Sequence, residues 1–139
     1  MSAASPNSPP QPERNPATAM NWDIFIQDLP PVHHVDAIPA DFRPGPIGER
    51  EDLVARIRKV LPMLDRQDND WLFAKAPGID LSMQLHMEDS SRVRYIVVHV
   101  HNGEQGAASV AAVLRELGLR AMDTATGDLF DAMTLEEGL

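Results

Sequence analysis

Two neighbouring segments in which apolar and polar residues alternate constrain the fold of this chain most. The first is Ile79 to Glu88, and the second is Val93 to His101 (VRYIVVHVH), which is rich in β-branched and aromatic residues. Alternation with a period of two is typical of a β-strand with one buried face. Because only the polar segment Asp89 to Arg92 separates the two segments, we predict that they form an antiparallel hairpin.

The alternation also predicts which residues pair across this hairpin. Aliphatic side chains meet on one face, the core face, if Leu85 pairs with Ile96, Met83 with Val98 and Leu81 with Val100. The same register gives four pairs on the opposite face: Gln84 with Val97, His86 with Tyr95, Ser82 with His99 and Asp80 with His101. That second face is mixed in character, and Phe25 is expected to join it. Such a face is either half-solvated or a place where something binds.

Five further elements follow from hydrophobic periodicity. They are the strands Asn21 to Leu29, Trp71 to Lys75 and Leu119 to Asp123, and the helices Glu49 to Leu61 and Gln105 to Leu117. The proline-rich residues 30–48 are expected to pack onto the body as a loop. The resulting order β-α-β-β-β-α-β predicts an α+β fold, a two-layer sandwich of a mainly antiparallel sheet with two helices packed on one face.

Composition divides the chain into three parts. Residues 1–20 are rich in proline and poor in apolar surface, so we predict a disordered Pro-rich arm there. Residues 21–131 are predicted to form a single α+β domain, since their number fits one domain and leaves little room for two. Residues 132–139 are predicted to be an acidic tail that frays.

The charge of the chain limits its partners. The formal net charge is −9, and because Glu13 and Arg14 cancel, it belongs entirely to residues 21–139. Such a surface repels phosphate backbones, which disfavours nucleic acid, and attracts a basic protein; plain solubility is the alternative interpretation. The chain has no cysteine, which favours a cytoplasmic location. No segment approaches the roughly 20 apolar residues that span a bilayer, so no membrane partner is expected.

His99 and His101 are the residues most suggestive of chemistry. Two positions apart on a strand, they point the same way, and the predicted register places Asp80 across from His101. Two imidazoles and a carboxylate can bind Zn²⁺ or Fe²⁺, so Asp80, His99 and His101 form a candidate site for a divalent metal. The alternative is that these histidines line a solvated face. No catalytic residue is assigned, because cysteine and a GxSxG motif are both absent.

Several strings of the sequence resemble those of a known family. They are Met20 to Pro30 (MNWDIFIQDLP), Ile38 to Gly48 (IPADFRPGPIG), Arg50, and the late LGLR of residues 117–120. Over residues 20–123 the chain resembles a family of small, acidic, uncharacterised bacterial proteins that begin at the position of Met20. The resemblance implies a bacterial cytoplasmic origin and makes the first twenty residues an extension or an upstream start. It implies no established activity.

These observations leave three hypotheses about function. The first is a non-catalytic protein-binding domain, most concretely an immunity-type inhibitor of a basic toxin. The second is a metal-dependent enzyme or a metal sensor that uses the His-x-His strand, and the third is a homo-oligomeric structural protein. An enzyme is less favoured than a binding protein. The predicted binding face for a protein partner consists of Phe25, Gln84, His86, Tyr95, Val97 and His99.

Overall fold

A computed structural model describes residues 21–102 and 104–138, without the side chain of Asn102. The predicted arm, residues 1–20, lies outside the described residues. The described residues form one antiparallel sheet of eight strands. The strands are β1 Trp22–Gln27, β2 Gly48–Glu49, β3 Asp65–Arg66, β4 Trp71–Ala76, β5 Ile79–Met87, β6 Arg92–Asn102, β7 Arg120–Asp123 and β8 Leu129–Phe130. Their order is β3-β4-β5-β6-β1-β7-β8, and β2 pairs with β6 beside this path.

Two main helices and a short third one complete the described fold. They are α1 Arg50–Val60, α2 Gly106–Leu117 and α3 Ala132–Glu137, and a 3₁₀ turn covers Val35–Ala37. The buried residues of all three helices join the inward-facing residues of the sheet in a single core cluster. The predicted α+β sandwich with a mainly antiparallel sheet is therefore confirmed, and the helix layer covers one face of the sheet.

The ends of the main helices follow from local sequence. Helix α1 has Glu51 and Asp52 in its first turn and Arg58 and Lys59 in its last, which complements the helix dipole. Helix α2 ends at Gly118, whose φ of 66° is left-handed and whose N–H bonds to the carbonyl of Leu114. Glycine adopts this conformation without the steric cost of a Cβ, which makes it a common helix terminator.

The hairpin of β5 and β6 has the predicted register over six pairs, from Leu81–Val100 to His86–Tyr95. The predicted pairing of Asp80 with His101 is wrong. A β-bulge between Asp80 and Leu81 places Asp80 opposite Asn102, and His101 is left without a direct partner. A bulge inserts one extra residue in one strand, so it redirects the side chain at that position.

The end of the chain differs from the predicted fraying tail. Residues 132–137 form α3, which begins after Asp131, whose side chain accepts a hydrogen bond from the Thr134 backbone N–H. Ala132 is buried and Leu135 packs against the core cluster, so the folded body extends beyond residue 131. Ala132 and Leu135 lie on one side of the helix, but two apolar residues in an acidic sequence are too few to predict a helix from periodicity.

The strands β2 and β3 are not predicted by the sequence either, because two residues cannot show an alternation.

The proline-rich loop packs on the body, as predicted from its apolar residues. The Val35 backbone N–H bonds to the Gly127 carbonyl, and the Leu129 N–H bonds to the His33 carbonyl. The side chain of Asp28 accepts a hydrogen bond of 2.9 Å from the Gly45 N–H. These bonds hold both halves of the loop against neighbouring segments.

Candidate binding face

The face of the sheet opposite the helices, which we call the open face, presents one continuous row of side chains. Direct register across five strands aligns Trp71, Gln84, Val97, Phe25 and Met122. Neighbouring strands lie about 4.8 Å apart, so this row is about 19 Å long. Four of its five members are apolar, which is unusual for a face that no helix of the described residues covers.

An aromatic cluster occupies the middle of the open face. The ring of Tyr95 stacks on His86, with centroids 4.5 Å apart and an interplanar angle of 11°. Phe25 lies on the other side of Tyr95, with its centroid at 5.4 Å and a tilt of 33°. All three side chains are half-buried. Aromatic rings held by such contacts lose little conformational entropy on binding, so the cluster is suited to contact a partner.

Polar groups flank this cluster along β6. The Nδ1 of His99 lies 2.7 Å from Oδ1 of Asp23, and the Nε2 of His101 lies 3.1 Å from the Ser82 hydroxyl. A carboxylate can only accept, so Nδ1 of His99 donates and its Nε2 is left as the acceptor of the neutral ring. The two imidazole rings lie 6.2 Å apart. Asp23 fixes the orientation of His99, and nothing in the sequence pattern of β6 indicates this partner.

The structure places all six residues of the predicted binding face on the open face. Gln84, Val97 and Phe25 belong to the row, His86 and Tyr95 to the aromatic cluster, and His99 to the polar flank. This location follows from the alternation of the strands. Their role in binding stays a prediction.

The candidate metal residues are not brought together as a trio. Asp80 lies 3.8 Å from the Lys75 ammonium, while His101 is bonded to Ser82 and His99 to Asp23. Among the residues that the structure describes, no three His, Cys, Asp or Glu side chains form a group that could hold a metal ion. The bulge at Asp80 is the physical reason, because it separates this carboxylate from His101. The binding of a divalent metal in this region stays a prediction.

A concave feature, which sequence reasoning missed, lies at the start of β1. A cleft of about 590 Å³ opens there, lined by Trp22, Phe130 and residues of α3. The Trp22 and Phe130 rings stack with centroids 5.8 Å apart, and the Trp22 Nε1–H donates to Oδ2 of Asp123 at 3.0 Å. The cleft depends on β8 and α3, two elements too short to be recognised from periodicity.

Comparison of the chain with models of known protein families, with curated proteins and with solved structures finds no match. The resemblance of residues 20–123 to a family of acidic bacterial proteins therefore stays a prediction. No helix within residues 21–102 and 104–138 has the length and apolarity needed to cross a membrane.

Proposed function

We propose that this protein is a non-catalytic protein-binding domain whose open face binds a basic protein. The observation that carries the proposal is the aromatic cluster of Phe25, His86 and Tyr95, half-buried on a sheet face that no described helix covers. Aromatic residues are enriched at the centres of protein interfaces, where a few rigid side chains supply most of the binding energy.

The charge of the molecule supports a basic partner. The net charge of −9 lies wholly on residues 21–139, and Asp23 adds a carboxylate with 51% of its side chain exposed beside the aromatic cluster. Opposite charge accelerates association and excludes wrong partners. The same charge opposes contact between two copies of the chain and opposes contact with a nucleic acid. A basic protein is therefore favoured over a homo-oligomer.

In its most concrete form, the proposal is an immunity-type inhibitor that covers the basic active-site surface of a toxin in the bacterial cytoplasm. What supports this form is the combination of a small acidic body, a sheet face that no described helix covers and the absence of cysteine and of a GxSxG motif from the sequence. The row of side chains about 19 Å long gives such a partner an extended surface to contact. A partner of this kind is bound through complementary charge around an apolar centre.

The test is to compare the wild-type chain with variants that place positive charge on the open face. Gln84→Lys and Val97→Arg change the middle of the row, and Val35→Arg is the matched control because Val35 is 40% exposed and lies in the loop. All four proteins are immobilised, exposed to a bacterial lysate at low and at physiological salt, and the captured proteins are identified. Melting temperatures establish that each variant is folded.

The expected result is capture of one basic protein by the wild type and by Val35→Arg, with loss of capture for Gln84→Lys and Val97→Arg. Capture should weaken as salt rises, because ions screen the attraction between surface charges. Co-expression with the captured protein should then relieve its toxicity if the partner is a toxin. Equal capture by all four proteins, or no capture at either salt concentration, contradicts the proposal.

The second candidate function is a metal-dependent enzyme or a metal sensor. The observation that favours it is the 2.7 Å contact between Asp23 and His99, because metal-binding imidazoles commonly donate their other N–H to a carboxylate. Thermal melting of untagged protein with Zn²⁺, Mn²⁺ and Fe²⁺ tests it. A metal-dependent rise in melting temperature that His99→Ala abolishes supports this function, and no rise with any of the three metals counts against it.

The third hypothesis, a homo-oligomer that buries the open face between subunits, requires a mass that is a multiple of 15.3 kDa. Size-exclusion chromatography with light scattering measures this mass directly. A monomer at high protein concentration excludes the oligomer and leaves the open face available to another protein.

A further inference from the structure

The cleft at the start of β1 is formed by groups that differ from those of the open face. It lies on the helix side of the sheet, since Trp22 pairs with Val100 and therefore has the orientation of the core residue Ile24. Its apolar wall consists of the stacked Trp22 and Phe130 rings with Leu135. A volume of about 590 Å³ falls within the range of small-molecule sites.

Two carboxylates, Asp123 and Asp128, line the same cleft. Oδ2 of Asp123 accepts from the Trp22 indole at 3.0 Å, and Oδ1 accepts from the backbone N–H of Ala125 at 2.8 Å. It also lies 3.3 Å from the N–H of Thr126. These donors are all neutral, so they hold the carboxylate in place and leave its negative charge uncompensated.

No cation within the described residues neutralises either carboxylate. The ion pairs among residues 21–102 and 104–138 do not include Asp123 or Asp128. The nearby Arg120 is engaged instead with Asp131 at 3.3 Å and with the Val32 carbonyl at 2.8 Å. His33 is the one basic side chain among the described lining residues. Uncompensated carboxylates beside an apolar wall are complementary to a cation that carries an apolar group.

We propose that this cleft binds a small organic cation, an ammonium or guanidinium group attached to an aromatic or aliphatic body. The cationic group lies against the carboxylates of Asp123 and Asp128, where charge-assisted hydrogen bonds form. The apolar body lies on the Trp22 and Phe130 rings, and a cation above an aromatic face gains further attraction. This site is independent of the open face and of the proposed protein partner.

The test uses Trp22 as its own reporter. The chain contains two tryptophans, and Trp71 lies on the open face, so Trp71→Phe leaves the indole of the cleft as the only one. Fluorescence of this full-length variant is titrated with phenethylamine, with the neutral 2-phenylethanol and with the anionic 3-phenylpropionate. These three probes share the same aromatic body and differ in charge. Isothermal titration calorimetry on the wild-type chain repeats the measurement without the Trp71 substitution.

The carboxylates are tested with a matched pair of variants. Asp128→Asn removes a charge that lines the cleft, and Asp65→Asn removes the same charge from β3, at the other end of the sheet order. We expect saturable binding of phenethylamine that is about tenfold tighter than that of 2-phenylethanol, because a hydrogen bond to a charged group contributes about 1.5 kcal/mol or more. Asp128→Asn should weaken phenethylamine binding severalfold, and Asp65→Asn should leave it unchanged.

Three results overturn the proposal. The first is a dissociation constant for phenethylamine weaker than about 1 mM, which corresponds to only about 4 kcal/mol of binding free energy. The second is equal binding of phenethylamine and 2-phenylethanol, which would make the cleft a merely apolar depression, or tighter binding of 3-phenylpropionate, which would mean that the cleft attracts anions. The third is an equal effect of Asp128→Asn and Asp65→Asn, which would attribute any binding to the overall charge of the protein.

Discussion

The two faces of the sheet are built from alternate residues of the same strands and differ completely in their surroundings. On the helix side, Ile24, Ile96 and Val98 have no exposed surface. Their immediate neighbours in sequence, Phe25 and Val97, point to the open face and are only half-buried. The buried and the half-buried residues are similarly hydrophobic, so side-chain chemistry alone does not account for their different exposure.

The difference between the two faces indicates which residues of this fold can carry function without disturbing the core. Residues of the core face contact helices and other strands on every side, so any change of volume there disturbs packing. The side chains of Phe25 and Val97 on the open face are only half-buried, so exchanging them should disturb packing less than a change in the core. A row of apolar and aromatic residues on that face gains less stability from burial than core residues do, which is the reason for proposing that it binds a partner.

The largest difference in stability between the two faces is expected when two adjacent residues of β1 are truncated. Ile24→Ala should lower the free energy of unfolding by about 3 kcal/mol, since it leaves a cavity in the core. Phe25→Ala should lower it by about 1 kcal/mol, chiefly through the lost contact with Tyr95. Urea denaturation of both variants measures the difference. Similar losses of unfolding free energy for the two variants would contradict the difference between the faces, because they would mean that the open face is packed like the core.

A smaller effect is expected where the helix layer is extended by α3. Asp131 caps this helix by accepting hydrogen bonds from the N–H and the hydroxyl of Thr134, at 2.8 and 2.9 Å. Asp131→Ala should cost about 1 kcal/mol of unfolding free energy, as is typical for the loss of an N-cap. Asp131→Asn is the control, because asparagine also caps helices and should retain most of the stability. If Asp131→Ala is as stable as the wild type, the capping hydrogen bonds of Asp131 contribute nothing to the stability of the covered face.

The smallest effect concerns the charges that attach α1 to β3. Two hydrogen bonds of 2.7 Å from Arg66 to Glu51 lower the pKa of that carboxyl to about 2. A carboxyl whose pKa is lower in the folded state stabilises the fold above its unfolded pKa, about 4.3, and loses this contribution as the pH falls towards 2. Glu51→Gln should therefore lower the melting temperature slightly at pH 7 and reduce the pH dependence of melting between about pH 4.5 and 2.

Salt and a control variant complete this measurement. The side chain of Glu51 is 68% exposed, so high salt should reduce the difference between Glu51→Gln and the wild type. Glu104→Gln removes an acidic side chain that takes part in no ion pair among the described residues, and its melting curve should follow that of the wild type. An acid profile for Glu51→Gln identical to the wild type would mean that the Arg66 contact does not hold α1 in solution.

The sequence by itself determined the local elements and the sorting of residues between the two faces. Strands have a period of two and helices one of 3.6. The pairing of Leu81 with Val100 in the hairpin, and the burial of Leu53 and Ile57 in α1, could therefore be predicted from spacing. The six residues of the predicted binding face reached the open face for the same reason. Gly118 and the acidic first turn of α1 gave the helix boundaries through purely local chemistry.

Only the tertiary structure decided which chemical groups meet. The bulge that separates Asp80 from His101, the contact of Asp23 with His99 and the stacking of Trp22 on Phe130 all join residues that are distant in sequence. Such contacts depend on strand order and on irregularities of one residue, and neither changes the local periodicity of the chain. The fold class could therefore be predicted from patterns. Both candidate sites depend instead on long-range packing, which brings Asp23 to His99 on the open face and places α3 beside the cleft at the start of β1.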